Sequence, residues 1–228
     1  MTDGHDTILT AEKRRFIEFI EAAGVLRFGQ FTTKSGRLSP YFVNTGLFRT
    51  GAQISTLGDF YAKLIFDVCA DSFDAMFGPA YKGIPLVVAA AGALSRNHGT
   101  DKPFFFNRKE AKDHGEGGSF VGYVPKDGDR IVIVEDVITA GTALREVVPL
   151  LCGCAEVRLN DMFISVDRCE HGLSASLSAV MEAEQTYGIK VHSIVNVFDI
   201  LAYLREDPAN SAHVEAMERY VAQYCVRA

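Results

Sequence analysis

An uninterrupted run of β-branched and charged residues, RIVIVED at 130–136, constrains the fold of this chain more than any other segment. Its apolar residues do not alternate with polar ones, which is typical of a central strand buried on both faces of a sheet. The following segment, TAGTALREVVPLLC, changes to a helical spacing. Because a doubly buried strand needs helices on both sides, the run predicts an α/β protein with a mainly parallel sheet.

Helical and strand patterns alternate along the rest of the chain, which supports the same class. The predicted helices run from a cap at Thr10 to about Ala23, and over 52–69, about 84–97 and 175–187. The predicted strands cover 74–80, 103–108, 156–168 and 191–198, and the residues beyond them favour helices. Turn residues within Gln30–Asn44 predict a hairpin-like excursion between the first two helices.

Composition and charge narrow the classes of function. The 228 residues include 23 basic and 29 acidic ones, and the formal net charge of −6 argues against broad binding to nucleic acid or to anionic membranes. The longest apolar runs are too short to span a bilayer, and the N-terminus lacks the pattern of a signal peptide. Five irregularly spaced cysteines favour free thiols in a reducing cytoplasm. We therefore expect a cytoplasmic protein with a single domain over 1–228.

Two carboxylates, Glu135 and Asp136, end the predicted central strand, where open α/β sheets bind their ligands. The small residues of 139–143 lead into a helix, and such a turn can present backbone N–H groups to a phosphate dianion. Thr139 and Thr142 add hydroxyl donors. The carboxylates would repel phosphate and instead suit the hydroxyls of a diol. The segment therefore predicts a ribose 5-phosphate site, and the alternative is a helix cap beside two solvated acids.

Two further segments carry cations that suit a phosphorylated ligand. GPAYKG at 78–83 is either an ordinary turn or a diphosphate-binding loop in which Lys82 takes part. The segment 109–119 is charged and rich in glycine, so it can open and close, although its mixed acids also allow a solvated loop. The cations in and beside it are Arg108, Lys109, Lys112 and His114.

Arg168 follows a predicted buried strand, and its planar fork suits a carboxylate ligand. The alternative is a structural arginine that pairs with Asp167. Lys34 lies in the turn of the hairpin-like segment, where the sequence alone favours a surface role. No partner is evident for four histidines, which we interpret as structural or solvated: His98, His171, His192 and His213.

The run 135–142 resembles the phosphoribosyl-pyrophosphate signature of the type I phosphoribosyltransferases. Segments 31–48, 77–86, 106–118 and 164–168 extend the resemblance over nearly the whole chain, and together they are similar to orotate phosphoribosyltransferases of the bacterial and fungal type. The resemblance implies the type I phosphoribosyltransferase fold, a central mainly parallel sheet flanked by helices, with a small N-terminal hood from about 1–50. It also implies transfer of a phosphoribosyl group from 5-phosphoribosyl 1-diphosphate to orotate.

The resemblance assigns residues to three roles. The catalytic residues are Lys34, Lys112, His114 and Asp136. The contacts to the sugar diphosphate are Lys34, Tyr81, Lys82, Arg108, Lys109, Lys112, His114, Glu135, Asp136, Val137, Ile138, Thr139, Ala140, Gly141, Thr142 and Ala143. The contacts to orotate are Lys34, Phe42, Val43, Thr139 and Arg168. The family usually has an aromatic residue at position 43, so valine leaves backbone contacts there and removes ring stacking.

Further expectations follow from the resemblance. Mg²⁺ is expected to be held by substrate and water, without a direct protein ligand, and Asp136 could contact it through water. A mobile catalytic lid over 108–119 is expected to complete the site of the partner subunit in a homodimer. A cis peptide is expected at or beside Ala80–Tyr81. The alternatives are a transferase for another base, which Arg168 disfavours, and a non-catalytic regulator that binds the sugar diphosphate.

Overall fold

The run at 130–136 forms a strand in the middle of a sheet, as predicted. The computed structural model describes residues 9–33, 36–109, 119–138, 142–174 and 176–227. The strands are β1 (Leu26–Thr32), β2 (Leu38–Val43), β3 (Ala75–Phe77), β4 (Phe104–Asn107), β5 (Phe120–Gly122), β6 (Arg130–Val134), β7 (Arg158–Asp167) and β8 (Lys190–Asn196). The α-helices are α1 (Ala11–Ala22), α2 (Gly51–Cys69), α3 (Gly83–His98), α4 (Thr142–Cys152), α5 (Ala179–Tyr187), α6 (Val197–Leu204) and α7 (Ser211–Tyr224). Short 3₁₀ turns cover Thr45–Leu47 and Pro208–Asn210.

Six strands form the main sheet in the order β5-β4-β3-β6-β7-β8. Neighbours from β4 to β8 pair in parallel, whereas β5 pairs antiparallel with β4 at the edge. The α/β class and the mainly parallel sheet are therefore confirmed. The sequence did not predict β5, because three residues at an edge are too short to show a periodic pattern.

Apolar side chains cover both faces of the main sheet because residues along β6 alternate between them. Val132 and Val134 belong to the core beneath α1, α2, α3, α6 and α7. Ile131 and Ile133 belong to the core beneath α4 and α5. This two-sided burial explains why the apolar run of β6 is unbroken, and it leaves the strand ends as the places where polar groups emerge.

Side-chain caps explain why two of the predicted boundaries are wrong. α5 begins later than the predicted 175 because the Ser178 hydroxyl caps its first turn. The strand predicted over 191–198 ends at Asn196, which forms a capping box with Asp199 and so starts α6. In both cases the polar cap overrides an apolar pattern that continues across it.

The predicted hairpin is present as β1 and β2, which form a separate antiparallel sheet. It begins at Leu26, earlier than predicted. Tyr41 of β2 is fully buried, and its ring meets the ring of Tyr220 edge-on with centroids 5.9 Å apart. The hairpin therefore packs on α7. The assignment of residues up to about 50 to a hood stays a prediction.

The five cysteines are free thiols, as predicted. Burial raises the pKa of the Cys69 thiol to about 12, so this group is protonated and unreactive at neutral pH. Among the described helices, none combines the length and the apolar character that a membrane crossing requires.

Candidate active site

Four adjacent parallel strands end at one edge of the main sheet, and predicted site residues follow each of them. These residues are Arg108 and Lys109 after β4, 78–82 after β3, Glu135 and Asp136 after β6, and Arg168 after β7. Ligands in open α/β sheets bind outside the carboxyl ends of the strands. The topology therefore collects the described site residues where a ligand would lie, with the end of β6 between those of β3 and β7.

Glu135 and Asp136, the acid pair, are buried at the end of β6. They expose only 7% and 6% of their surface, so the alternative of two solvated acids is wrong. The Glu135 carboxylate accepts the backbone N–H of Asp136 at 3.0 Å. One oxygen of the Asp136 carboxylate accepts the N–H of Val137 at 2.9 Å. Backbone groups of the turn thus fix the orientation of both side chains.

Two buried hydroxyl groups hold the backbone of the acid pair. Tyr61 of α2 donates to the carbonyl oxygen of Glu135 at 2.7 Å. Ser165 of β7 donates to the carbonyl oxygen of Asp136 at 2.7 Å. Neither role could be predicted, because Tyr61 occupies an apolar position of a helix and Ser165 lies inside a buried strand. These hydroxyls anchor the acid pair to the two elements that flank it.

The second oxygen of the Asp136 carboxylate is shared by a cation and a hydroxyl. It accepts hydrogen bonds from Lys82 Nζ and from Thr45 Oγ1, each at 2.8 Å. Lys82 is largely exposed while Asp136 is buried, so the lysine reaches the sheet edge from the solvent side. Thr45 was not predicted as a site residue. It lies within the segment 31–48, but no residue pattern distinguished it.

The loop from 78 to 82 connects β3 to α3 and carries Lys82. Its Ala80–Tyr81 peptide bond is cis, as predicted. The backbone N–H of Ala80 donates to Oδ1 of Asn107, the buried last residue of β4, at 2.8 Å. Tyr81 is exposed. The side chain of Asn107 therefore ties the loop to the neighbouring strand, a role that the sequence did not reveal.

Burial, followed by the charge of Asp136, raises the pKa of Glu135 to about 8. Lys82 opposes this increase, but its ammonium group contacts Asp136 rather than Glu135. Glu135 is therefore largely protonated at neutral pH.

The ligand-free protein should lose stability as the pH rises. A glutamate whose pKa is raised by folding contributes stability that is complete below its usual pKa of 4.5 and is lost as the pH rises through about 8. Glu135→Gln cannot ionise and keeps an oxygen for the N–H of Asp136. Between pH 4.5 and 8 we expect this variant to lose a few kcal/mol less of its unfolding free energy than the wild type does. Each unit of pKa shift corresponds to about 1.4 kcal/mol. Urea unfolding across this pH range measures the effect.

The control for this experiment is Glu218→Gln, which removes an exposed carboxylate that pairs with Arg205. This variant should show the same decline of the unfolding free energy as the wild type. Parallel pH profiles for the wild type and Glu135→Gln would contradict the raised pKa.

Two of the four cations in and beside the segment 109–119, Arg108 and Lys109, lie within the described residues. Arg108 donates its backbone N–H to the carbonyl oxygen of Ser119 at 2.9 Å, and its buried Nε has no partner in the described part of the chain. Lys109 Nζ lies 2.9 Å from a carboxylate oxygen of Glu146 on α4. Glu146 was not predicted, and it holds Lys109 beside the helix that follows the acid pair.

Phe42 and Val43 of β2 differ in their surroundings. Phe42 is partly exposed and stacks on Phe31 with ring centroids 5.4 Å apart. Val43 packs against the core beneath α1 and α2. Phe42 therefore has the more accessible side chain of the two, and the backbone contribution of position 43 stays a prediction.

Arg168 pairs with Glu170, so the alternative pairing with Asp167 is wrong. Its Nε and one Nη donate to Oε1 of Glu170 at 2.7 and 2.5 Å. The Asp167 carboxylate instead accepts the backbone N–H of Cys169 at 2.7 Å, because the chain turns sharply after β7. The guanidinium of Arg168 lies over the Tyr41 ring, 4.8 Å from its centroid. This contact places Arg168 next to the strand that carries Phe42.

The remaining predicted site residues lie outside the described residues: Lys34, Lys112, His114, Thr139, Ala140 and Gly141, together with the side chains of Thr142 and Ala143. The backbone of the last two begins α4. Val137 and Ile138 are described, and the Ile138 side chain belongs to the core beneath α4. Any ligand contact from Ile138 would therefore come from its backbone.

Three of the four histidines have neighbours that the sequence did not indicate. His192 lies 2.8 Å from Asp161, a partner that the sequence did not reveal. His98 stacks on the Phe66 ring with centroids 4.4 Å apart. His213 lies against Phe28. These contacts are within the packed helices and strands.

Comparisons with known proteins agree with this geometry. Residues 47–159 match the phosphoribosyl transferase domain. The orotate phosphoribosyltransferase of Pectobacterium carotovorum is 50% identical over 96% of this chain and 100% of that protein, and that of Lachnoclostridium phytofermentans is 46% identical over 95% and 98%. The crystal structure of the Francisella tularensis orotate phosphoribosyltransferase superposes with a TM-score of 0.83 at 38% identity, covering 93% of this chain and 100% of that chain. The chain therefore belongs to the orotate phosphoribosyltransferase family, with the type I phosphoribosyltransferase fold.

Proposed function

We propose that this protein transfers the phosphoribosyl group of 5-phosphoribosyl 1-diphosphate to N1 of orotate. The products are orotidine 5′-phosphate and diphosphate, and the reaction belongs to de novo pyrimidine (UMP) biosynthesis. One observation carries the proposal: the strand order places the acid pair between the loop of Lys82 and the strand end of Arg168. A site for a diol, with a cation on one side and a carboxylate-binding fork on the other, suits these two substrates.

The sugar phosphate would be bound by the segment 135–143. The acid pair suits the ribose hydroxyls, since carboxylate oxygens accept hydrogen bonds and the protonated Glu135 can also donate one. The turn through 139–143 would present its backbone N–H groups to the 5′-phosphate at the start of α4, where the helix dipole favours an anion. Val137 and Ile138 would contribute through their backbone.

The diphosphate would be neutralised by the side chains around the sheet edge. The proposed contacts are Lys34, Tyr81, Lys82, Arg108, Lys109, Lys112 and His114. Lys82 would exchange its ion pair with Asp136 for the diphosphate. Thr45 would then keep the Asp136 oxygen partnered, so the acid would stay in place when the lysine leaves.

Orotate would lie beside the hairpin. The ring of Phe42 and the backbone of Val43 would contact the pyrimidine, and Lys34 and Thr139 would approach it from the turn and the phosphate site. The fork of Arg168 would bind the orotate carboxylate. Its position against Tyr41, the residue before Phe42, supports this arrangement.

The reaction needs no protein nucleophile. The bond between C1′ and the diphosphate oxygen breaks, and positive charge develops on the ribose ring. N1 of orotate forms the new bond to C1′ and loses its proton, which passes to water or to the departing diphosphate. The protein would lower the barrier by stabilising the charge of the leaving group and by holding the two substrates in line. Lys34, Lys112 and His114 would share this role with Asp136.

Mg²⁺ would neutralise part of the diphosphate charge and so make it a better leaving group. Both oxygens of Asp136 are already engaged by Val137, Lys82 and Thr45, which suits a metal held by substrate oxygens and water. Asp136 would contact it through water. In the ranges that the structure describes, no group of three or more His, Cys, Asp or Glu residues could hold a metal ion.

The active form would be a homodimer in the cytoplasm, as the resemblance implies. Residues of the lid over 108–119, including Lys112 and His114, would complete the site of the partner subunit. The formal net charge of −6 supports small anionic substrates bound by local cations, without a nucleic-acid or membrane partner.

The proposal is tested by incubating the protein with orotate, 5-phosphoribosyl 1-diphosphate and Mg²⁺ and following the loss of orotate absorbance. We expect orotate to be consumed and diphosphate to be released in equal amounts. Consumption of uracil or a purine in place of orotate would overturn the assigned base. Binding of the sugar diphosphate without turnover would indicate a regulator.

A further inference from the structure

Glu170 is the centre of a polar cluster behind the end of β7. Its Oε1 accepts hydrogen bonds from Nε and Nη of Arg168, at 2.7 and 2.5 Å, and from the Tyr220 hydroxyl at 2.6 Å. Its Oε2 lies 3.3 Å from Nη1 of Arg37. The donors come from the end of β7, from α7 and from the residue before β2. One carboxylate thus joins three separate elements around Arg168.

Arg168 is held on one edge and one face, and one of its terminal nitrogens also lies 3.5 Å from the Tyr220 hydroxyl oxygen. Glu170 takes the edge formed by Nε and one terminal nitrogen, and the Tyr41 ring covers one face. The side chain of Arg168 is only 13% exposed. Within the described residues, no acceptor takes a hydrogen bond from Nη1. A guanidinium can hold one carboxylate with Nε and one terminal nitrogen, and a second carboxylate with its two terminal nitrogens. This is possible because each terminal nitrogen carries two hydrogens.

Two guanidinium groups of the cluster share one carboxylate. The guanidinium groups of Arg37 and Arg168 face the single carboxylate of Glu170. Burial, followed by Glu170, raises the pKa of Tyr220, so its hydroxyl stays protonated and adds no negative charge. A ligand carboxylate would give these two largely buried cations a second anionic partner. Orotate carries such a carboxylate.

We propose that Glu170 is a positioning residue for substrate recognition. By binding Nε and one terminal nitrogen of Arg168, Glu170 orients this side chain so that its two terminal nitrogens face the carboxylate of the pyrimidine. The inference rests on the proposed function and adds to it the residue that makes the carboxylate the selected feature of the base. Glu170 itself does not touch the substrate. It acts by removing the freedom of a long side chain before the substrate arrives.

The experiment compares two nucleotides that differ only in the carboxylate, orotidine 5′-phosphate and uridine 5′-phosphate. Their dissociation constants are measured by calorimetry for the wild type and for Glu170→Gln, with circular dichroism to verify folding. We expect the substitution to reduce the preference for orotidine 5′-phosphate about tenfold, since one oriented charge-assisted hydrogen bond is lost. The affinity for uridine 5′-phosphate should stay within about twofold.

A second variant separates positioning from structural support. Tyr220→Phe removes the hydroxyl that donates to Glu170 and keeps the ring that packs against Tyr41. We expect this variant to lose only a few-fold of the preference for orotidine 5′-phosphate over uridine 5′-phosphate. The KM for orotate should increase, with little change in kcat. The matched control is Glu218→Gln, whose carboxylate bonds Arg205 at 2.6 Å on the surface. This variant should keep the full preference.

The outcomes distinguish this inference from the proposed function. A wild type that neither consumes orotate nor prefers orotidine 5′-phosphate would overturn the proposed function. A wild type that shows the preference, with Glu170→Gln unchanged, would overturn the role of Glu170 alone. A stronger preference in Glu170→Gln would also overturn it, because Glu170 would then compete with the substrate for Arg168.

Discussion

Replacing Arg168 by lysine is expected to raise the KM for orotate about 100-fold. Lysine keeps the positive charge, but its single ammonium group cannot form two parallel hydrogen bonds to a carboxylate. Each charge-assisted hydrogen bond contributes about 1.5–3 kcal/mol, and about 1.4 kcal/mol corresponds to a factor of ten. Lysine also loses the stacking of the guanidinium on Tyr41 and the side-on contact with Glu170.

Steady-state kinetics with each substrate varied in turn measure this effect. The KM for 5-phosphoribosyl 1-diphosphate should stay within about twofold, because the proposed sugar and diphosphate contacts follow other strands. The control is Arg205→Lys, whose partner Glu218 is exposed and which should behave as the wild type. Equal increases in both KM values would place Arg168 in the sugar diphosphate site and contradict the base assignment.

The sequence predicted the frame of this site because the frame depends on burial patterns. The unbroken apolar run of β6 required cover on both faces, and the cores on either side of Val132 and Ile133 provide it. Once the sheet was predicted to be parallel, residues after separate strands were expected at one edge. The contact between Lys82 and Asp136 is the direct consequence, although 54 positions separate the two residues.

The supporting residues could not be predicted, because their roles depend on contacts between distant segments. Tyr61 has the spacing of a core residue, and its hydroxyl gains a role only where α2 crosses the end of β6. Thr45 reaches Asp136 across 91 positions of sequence. Glu170 was not predicted as a site residue, since nothing in a linear pattern shows that α7 and the hairpin converge on it.

Gly83, the first residue of α3, has no room for a side chain. A Cβ there would lie 2.7 Å from Cδ of Pro79, 2.8 Å from the carbonyl carbon of Gly78 and 3.0 Å from the carbonyl oxygen of Val134. Two of these neighbours are backbone atoms that cannot rotate away. The loop of residues 78–82 and the end of β6 therefore pack against the start of α3 at a distance that only glycine permits.

We expect Gly83→Ala to push the loop away from the sheet edge, so that Lys82 loses its place beside Asp136. A shift of about 1 Å at a reacting centre can cost about 100-fold in rate, and we expect a loss of that size in kcat/KM for 5-phosphoribosyl 1-diphosphate. Overpacking should also lower the unfolding free energy by about 1–3 kcal/mol. Gly92→Ala in the same helix is the matched control, because its Cβ would meet only the flexible end of Arg96, at 3.2 Å. Gly92→Ala should have wild-type kinetics and, in urea unfolding, a stability equal to or slightly above that of the wild type. Wild-type values of kcat/KM and unfolding free energy for Gly83→Ala would mean that the loop tolerates displacement and does not set the position of Lys82.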